Sequence, residues 1–324
     1  MDETPEGSEV FAFNGEEFIY RLPPTRPEGS EYERRDGRIR LLFSSDPTFG
    51  VPFGHDRLLT LWLTAAYEGC GKPESGLIHV DSLDDIPRAF GLPSRRSKHA
   101  ALERGLLRIA RTTLFVSVMS AGTGETASGE RLGMRRYNLL EGVDLARQDA
   151  NWPTHGPPGG LVILFSEFFV RTRRERVLPI DLKTAGALRN DPGALDLYLW
   201  QAHRNWELHR RRDRWLVVPI LGPKGLLMHL DTEVDGEEEA LCQLRTDQEL
   251  VQEVWPGCPN RLTEDGRSLV LRPCEALGKT RTPLPGVSTS PRIRHLTLVS
   301  PSLPSPQDGN EAPVPSGPPE EDWT

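Results

Sequence analysis

The residues with the clearest chemistry lie in one basic helix predicted over residues 94–112. Leu102, Leu106 and Ile109 recur at helical spacing and predict its buried face. A helix fits the major groove of B-DNA, where guanidinium groups bind guanine edges and phosphates. The candidate DNA contacts in its first turn and on its basic face are Ser94, Arg95, Arg96, Lys98, His99, Arg104, Arg108 and Arg111. The alternative is that these arginines form only a solvated face.

A basic hairpin is predicted after this helix. Residues 114–118 and 133–139 have the composition of two strands, and the loop over 120–130 is rich in Gly, Thr and Ser. Arg135 and Arg136 lie in the second strand. We expect them to bind phosphates, which positions a protein on DNA without reading its bases.

Three upstream elements are needed to position the basic helix and the hairpin. Helical spacing predicts a helix over 55–67, an apolar run predicts a strand at 77–80, and a helix follows over 82–89. The order is then helix, strand, helix, basic helix and hairpin. This order is typical of a winged helix, whose recognition helix enters the major groove.

A looser copy of the same order is predicted further along the chain. Residues 161–169 predict a strand and a short helix, and Asp191-Pro192 begins a long helix. An acidic helix over 236–254 and a hairpin with Asp265-Gly266 at its turn complete the copy. The repetition predicts two related domains.

The predicted recognition helix of the second domain is acidic, which is unexpected for a DNA-binding domain. At the position of a recognition helix, phosphates would repel the carboxylates. Either the register differs, or other arginines contact DNA, or the domain is a protein interface. The arginine candidates are Arg171, Arg173 and Arg174, with Arg210–Arg214 as a further cluster.

The charge is distributed unevenly along the 324 residues. Taken alone, the formal net charge of −8 argues against a nucleic-acid binder. It divides into −6 for residues 1–36, +7 for residues 37–230 and −9 for residues 231–324. Charges further apart than a Debye length, about 8 Å at physiological salt, are screened from one another. The basic middle therefore has the local sign that a DNA binder needs.

The composition also divides the chain. Residues 1–37 predict an acidic, largely disordered arm, and residues 276–324, with ten prolines, predict a disordered Pro/Ser-rich acidic tail. Between them the sequence predicts an α+β fold of two tandem winged-helix domains. These are residues 38–150 and residues 161–275, joined by a linker over residues 151–160.

The sequence lacks the motifs of two enzyme classes, namely nicking enzymes and ATPases. The eight histidines form no H-x-H pair of the kind that supports a nicking tyrosine. Gly278-Lys279-Thr280 lacks the upstream glycine of a phosphate-binding loop. We therefore expect no enzymatic activity, no cofactor and no metal. The four cysteines form no C-x-x-C pair and no apolar run reaches 18 residues, so we expect a cytoplasmic protein without a membrane partner.

Five stretches between about residue 40 and residue 275 carry a family resemblance. They are VPFGHDRLLTLWLTAA (51–66), LDDIPRAFGLPSRRS (83–97), LVILFSEFF (161–169), LPIDLKTAGALRNDPGALDLYLWQAHR (178–204) and VWPGCPNRLTEDGRSLVLRP (254–273). The motifs FSEFF, LPIDL and ALDLYLW in this order are the most specific. With these stretches, the chain resembles the RepA-type plasmid replication initiators, which are built from winged-helix domains.

This resemblance implies a protein that binds repeated double-stranded sites at a plasmid origin. Such a protein helps to open adjacent A·T-rich DNA and recruits the host replication initiator and helicase. The resemblance also implies repression of its own gene and exchange between a homodimer and a monomer. Two alternatives stay open, which are a winged-helix transcriptional repressor and a nonenzymatic assembly factor that binds host proteins through its acidic ends.

Overall fold

The computed structural model describes residues 22–36, 39–118, 133–145, 160–174, 179–222, 225–230, 236–274 and 284–289. The strands are β1 (Glu31–Asp36), β2 (Ile39–Ser45), β3 (Leu77–Val80), β4 (Thr112–Val118), β5 (Gly133–Asn138), β6 (Leu140–Leu145), β7 (Leu161–Phe165), β8 (Leu216–Pro219), β9 (Arg261–Leu262), β10 (Ser268–Leu271) and β11 (Val287–Ser288). The α-helices are α1 (Asp56–Gly69), α2 (Asp85–Ala89), α3 (His99–Ala110), α4 (Glu167–Arg173), α5 (Leu182–Ala187), α6 (Pro192–Arg211) and α7 (Glu237–Val254). Short 3-10 turns lie at Arg96–Lys98 and Leu226–Met228.

The first sheet has the strand order β1-β2-β4-β5 and is antiparallel throughout. Alternate residues face the core, so Phe43 of β2 and Leu114 of β4 are buried beside one another. On β5, Tyr137 is buried and its ring centroid lies 4.1 Å from that of Phe168. The two strands of the predicted basic hairpin are thus confirmed as β4 and β5, while the predicted loop over 120–130 lies outside the described residues.

Strand β1 lies in the predicted disordered arm. It pairs with β2 along its whole length, and the Arg34 side chain is buried, with Nη2 donating to the His229 carbonyl at 2.9 Å. The expectation of disorder is therefore wrong for residues 31–36. The charged composition of these residues predicts disorder, but their backbone groups form hydrogen bonds with β2 and so make a strand. Residues 1–21 of the arm lie outside the described residues.

The second sheet, with the order β11-β3-β7-β6, joins the two predicted domains. Strand β7 begins the predicted second domain, yet it pairs antiparallel with β3 and β6 of the predicted first. Each of these short strands is apolar, and composition alone does not say which partner an apolar strand takes. The predicted boundary at residue 160 thus falls within a shared sheet, and residues 151–159 of the predicted linker lie outside the described residues.

The same sheet receives a strand from the predicted disordered tail. Val287 of β11 pairs with Val80 of β3, and the Asp81 N–H donates to the Gly286 carbonyl at 2.7 Å. The expectation of disorder is therefore corrected for residues 287–288. Residues 290–324 of the tail lie outside the described residues.

The third sheet, with the order β8-β10-β9, contacts the long helix α6 through its central strand β10. The predicted core positions Leu195, Tyr198 and Leu199 on α6 are buried. Helix α7 packs on α6, where the Gln201 side-chain amide donates to Gln248 Oε1. The Asn260 side chain donates to Gln201 Oε1 at 2.7 Å and ties the segment after α7 to the same helix.

The two halves share a core. Their buried apolar residues form one continuous cluster, in which Trp62 of α1 and Tyr198 of α6 are fully buried. An ion pair between Arg57 of α1 and Asp196 of α6 also crosses this junction, with both side chains almost fully buried. Removing either partner would leave an uncompensated buried charge, so this pair fixes how α1 and α6 meet.

The predicted α+β class is confirmed. The order α1, β3, α2, α3, β4, β5 is the predicted one, and α6, β8, a 3-10 turn, α7, β9 and β10 repeat it. Strand β3 pairs with β7 and β11 rather than with the hairpin β4–β5, so sheet pairing differs between the two copies. Their assignment as two winged-helix domains stays a prediction.

Candidate nucleic-acid interface

The turn that leads into α3 is held by the carboxylate of Asp84. This group accepts a hydrogen bond from the Ser94 hydroxyl, and its Oδ1 lies 2.6 Å from His99 Nε2. The hydrogen bond from Ser94, and then that from His99, lowers the pKa of Asp84 below its ordinary value. Ser94 and His99 are thus used within the protein. The structure gives them a role in positioning α3, and their predicted contact with DNA stays a prediction.

Arg108 is not available to DNA. Its Nε lies 2.7 Å from Asp56 Oδ2 and its Nη2 lies 3.2 Å from Asp56 Oδ1. Its guanidinium carbon also lies 4.8 Å from the centroid of the Phe53 ring. The Asp56 side chain is only 2% exposed, so the pair is a buried bidentate contact between α1 and α3. The assignment of Arg108 as a DNA contact is therefore corrected.

Gly105 explains why Arg108 can reach Asp56. A Cβ atom at Gly105 would lie 2.4 Å from Asp56 Oδ1 and 2.5 Å from Leu59 Cδ1. Any other residue would push α1 away from α3 at this point. Gly105, at the edge of the apolar face and one turn before Arg108, is therefore the feature of the sequence that could have indicated that Arg108 is buried.

The solvent face of α3 carries the basic residues that remain available. Arg104 and Arg111 are exposed and lie seven residues apart, so they point within about 20° of each other on the helix. Arg95, just before the 3-10 turn, is exposed as well. Among the described residues no ion pair fixes these three side chains. Lys98 is half-buried, and Arg96 lies in the 3-10 turn with its side chain outside the described part of the structure.

The hairpin adds two exposed arginines at a sheet edge. Arg135 and Arg136 are exposed on β5, the last strand in the order β1-β2-β4-β5. Because successive strand residues face opposite sides, the two guanidinium groups leave β5 on different faces. The buried Tyr137 next to them anchors the strand. This placement suits contacts to separate phosphates better than one shared base contact.

The three predicted arginines at the C-terminal end of α4, Arg174 being the residue after it, have three different environments. Arg173 is 1% exposed, and its Nη2 donates to Glu68 Oε1 of α1. Its assignment as a DNA contact is therefore corrected. Arg174 is exposed and lies 3.0 Å from Glu74 Oε1, a surface ion pair that contributes little. Arg171 is exposed.

Helix α7 offers phosphates no favourable face. Its first turn carries three exposed carboxylates, at Glu237, Glu238 and Glu239. Asp247 is buried, accepts a hydrogen bond from Gln243 at 2.9 Å, and has its pKa raised by that burial. The register predicted for this helix is close to the observed one, so a shifted register does not remove its acidic face.

A basic and aromatic surface in the second half was not predicted as a unit. The C-terminal end of α6 and the following turn expose Arg210, Arg211, Arg212 and Arg214. Trp215 is 62% exposed, and Leu216 and Val217 on β8 are each 41% exposed. The sequence run RRRDRW (210–215) could have indicated this surface. Its tryptophan lies outside the apolar stripe of α6, so the packing of that helix does not bury it.

Two further properties of the described residues bear on the site. No group of three or more His, Cys, Asp or Glu side chains is placed to hold a metal ion in these ranges. Within the same ranges, no helix combines the length and the apolarity needed to cross a lipid bilayer.

Comparison with known proteins gives a likeness in fold. No family model and no curated protein sequence matches the chain. The fold resembles RctB domains 2-3. A crystal structure of those domains aligns with 82% of this chain and 99% of its own, at a TM-score of 0.50 and 13% sequence identity. A second crystal structure, of selenomethionine derivatives of RctB domain 2 and domain 3, aligns with 72% of this chain and 82% of its own, at a TM-score of 0.45 and 13% identity.

Proposed function

We propose that this protein is a replication initiator that binds double-stranded DNA through α3 and β5. The observation that carries the proposal is the exposed set Arg95, Arg104 and Arg111 at the start and on the solvent face of α3. RctB is the replication initiator of Vibrio chromosome II, so the likeness in fold supports an initiator role in general terms. The resemblance to RepA-type plasmid initiators supports the finer features of the proposal.

In this proposal each half of the chain is a winged-helix domain, and α3 is the recognition helix of the first. Its exposed arginines enter the major groove, where a bidentate arginine contact gives about 1–3 kcal/mol of discrimination between bases. Arg135 and Arg136 on the wing bind phosphates. The buried pairs Arg108–Asp56 and Arg173–Glu68 hold α3 and α4 against α1, so they orient this surface without touching DNA.

The second half contacts DNA, in this proposal, through its arginine cluster rather than through α7. The cluster Arg210–Arg214 is exposed at the end of α6, and Trp215 offers an aromatic face beside it. Basic residues next to an exposed aromatic suit both phosphates and unstacked bases. The acidic face of α7 is then free for a protein partner.

The bound protein would hold repeated origin sites, help to open adjacent A·T-rich DNA and recruit the host replication initiator and helicase. It would act without an enzymatic step and without a cofactor, and it would exchange between homodimer and monomer and repress its own gene. A transcriptional repressor would use the same surface of α3. An initiator and a repressor differ in the number and arrangement of the DNA sites that they bind, rather than in the surface of the protein that contacts DNA.

Footprinting of the DNA on both sides of the gene tests this proposal. An initiator protects several evenly spaced repeats beside an A·T-rich stretch. Protection of one palindrome over the promoter, with no repeats elsewhere, would favour the repressor. The matched variant is Arg104→Ala with Arg111→Ala, which should abolish the footprint at the same protein concentration if α3 is the reader.

A further inference from the structure

A pocket at the junction of the two halves has the features of an anion-binding site. It has a volume of about 580 Å³, within the range of sites for small ligands. Its walls come from the segment before α1, from the first turn of α1 and from the start of α6, and include Arg26, Phe53, His55, Arg57, Arg189 and Leu195. The Gly54 N–H donates to the Pro23 carbonyl at 3.0 Å and closes one side. None of these elements belongs to the proposed DNA surface on α3 and β5.

Arg57 is the strongest indication of a ligand. It is 1% exposed and lines the pocket, and its Nη1 is paired with Asp196 Oδ1. Its Nε and Nη2 are buried and have no hydrogen-bond partner among the described residues. Buried donors on a charged group cost free energy until an acceptor meets them. An acceptor placed in the pocket would remove that cost.

The other charged groups among the residues that line the pocket are also arginines. Arg189 donates from Nη1 to the Gly186 carbonyl at 3.1 Å, and its buried Nε lacks a partner among the described residues. Arg26 adds a third guanidinium to the walls. No carboxylate is among the described residues that line the pocket. Helices α1 and α6 also begin here, so the positive ends of two helix dipoles meet at the pocket.

We propose that this pocket binds the phosphate group of a small phosphate monoester. A phosphate offers several acceptor oxygens and up to two negative charges, which suits several converging guanidinium groups. Phe53 and Leu195 give the pocket an apolar wall, so the ligand carries an organic part as well as the phosphate. The inference is independent of the proposed function, because α3 and β5 contribute nothing to the pocket.

The site also links the two halves. Its walls come from both sides of the Arg57–Asp196 pair that joins α1 to α6. A ligand that binds the folded protein stabilises it by mass action. At about five times the Kd of the ligand, we expect Tm to rise by about 2–4 °C.

The test measures binding to the full chain by calorimetry and by the shift in Tm. The probes are AMP, inorganic phosphate and adenosine, which separate the contribution of the phosphate from that of the organic part. We expect AMP to bind most tightly, phosphate to bind more weakly and adenosine not to bind. The proposal is overturned if neither AMP nor phosphate binds at millimolar concentration, or if adenosine binds as well as AMP.

Variants assign the binding to this pocket. Arg189→Met and Arg26→Met should each weaken AMP binding at least about tenfold, since each removes a charge-assisted hydrogen bond. Arg272→Met removes an exposed arginine outside the pocket and should bind AMP like the parent. Because Arg57→Met removes the ion-pair partner of the Asp196 carboxylate, it is made together with Asp196→Asn, and this double variant should also fail to bind AMP. Unchanged binding by Arg189→Met and Arg26→Met would overturn the proposal.

A phosphate of the DNA backbone is the other source of the same chemistry. If the pocket serves a small ligand, AMP should bind equally well when a DNA duplex saturates the protein. Competition between AMP and the duplex, with Arg189→Met weakening both to the same extent, would assign the pocket to the DNA backbone and overturn the proposal.

Discussion

Arg108 of α3 donates two hydrogen bonds to Asp56 of α1, from Nε to Oδ2 at 2.7 Å and from Nη2 to Oδ1 at 3.2 Å. This pair sets the rotation of α3 against α1. Arg108 lies only about 40° and 60° around the helix from Arg104 and Arg111, but it turns inward to Asp56, whereas those two arginines remain exposed to solvent. One arginine of the predicted basic face is therefore structural, and it determines where the other two point.

Replacing Arg108 should cost stability. Arg108→Met removes the ion-pair partner of the buried Asp56 carboxylate and leaves it with the Phe53 N–H, 3.1 Å from Oδ2, as a hydrogen-bond donor, which should lower the free energy of unfolding by about 3 kcal/mol. Urea denaturation measures this decrease. Arg104→Met on the same helix is the control and should change the free energy of unfolding by less than about 0.5 kcal/mol. Equal effects of the two substitutions would show that the Asp56 pair does not stabilise the fold.

The Ser94 hydrogen bond should be visible in the titration of Asp84. Because the pKa of Asp84 is lowered in the folded protein, the contact stabilises the fold above the ordinary value of 3.8. That contribution disappears as the pH falls through the folded-state pKa. In Ser94→Ala, NMR titration should show the pKa of Asp84 raised toward 3.8, and Ser97→Ala should leave it unchanged. A pKa that stays low in Ser94→Ala would contradict the assigned role of this hydroxyl.

The wing arginines should contribute affinity without sequence choice. Arg135→Ala with Arg136→Ala should weaken binding to origin and unrelated DNA by the same factor, since phosphate contacts carry no sequence information. Each phosphate that the variant no longer neutralises should lower the salt slope of binding by about 0.9. Binding titrations at several salt concentrations measure both effects. A selective effect at one base position would show that a wing arginine reads sequence.

The acidic termini should weaken DNA binding at low salt. Because β1 and β11 belong to the sheets, the chain is shortened only to residues 22–289. This removes segments with net charges of −5 and −3. The shortened chain should bind DNA more tightly at low salt, and the difference should vanish at high salt as screening increases. Equal or weaker binding at low salt would exclude competition by the termini.

Local pattern was enough to place the helices and the hairpin. The spacing of Leu102, Leu106 and Ile109 located α3, and all three are buried. The basic hairpin and the long helix after Asp191 were located in the same way. These features depend on neighbouring residues, whose periodicity the sequence displays directly.

Local sequence pattern did not predict which residues far apart in the chain form ion pairs or pair as strands. Arg104 and Arg108 look alike on a helical wheel, but Arg108 pairs with a carboxylate 52 residues away. Arg173 pairs with Glu68 across 105 residues, and β7 pairs with β3 from the other predicted domain. Only the folded chain shows which arginines remain available to DNA, because pairing partners so distant leave no local periodicity.

The measurement that tests the DNA-binding surface most directly is the affinity and salt slope of a triple variant, Arg95→Ala, Arg104→Ala and Arg111→Ala, on its origin DNA. The control is a triple variant with Arg245→Ala, Arg267→Ala and Arg272→Ala, which removes the same charge from exposed positions outside α3. We predict that the α3 variant no longer binds the origin specifically and that its salt slope falls by about 0.9 for each phosphate it no longer neutralises, while the control keeps both properties. Unchanged affinity and salt slope in the α3 variant would contradict the assignment of α3 as the DNA-reading helix.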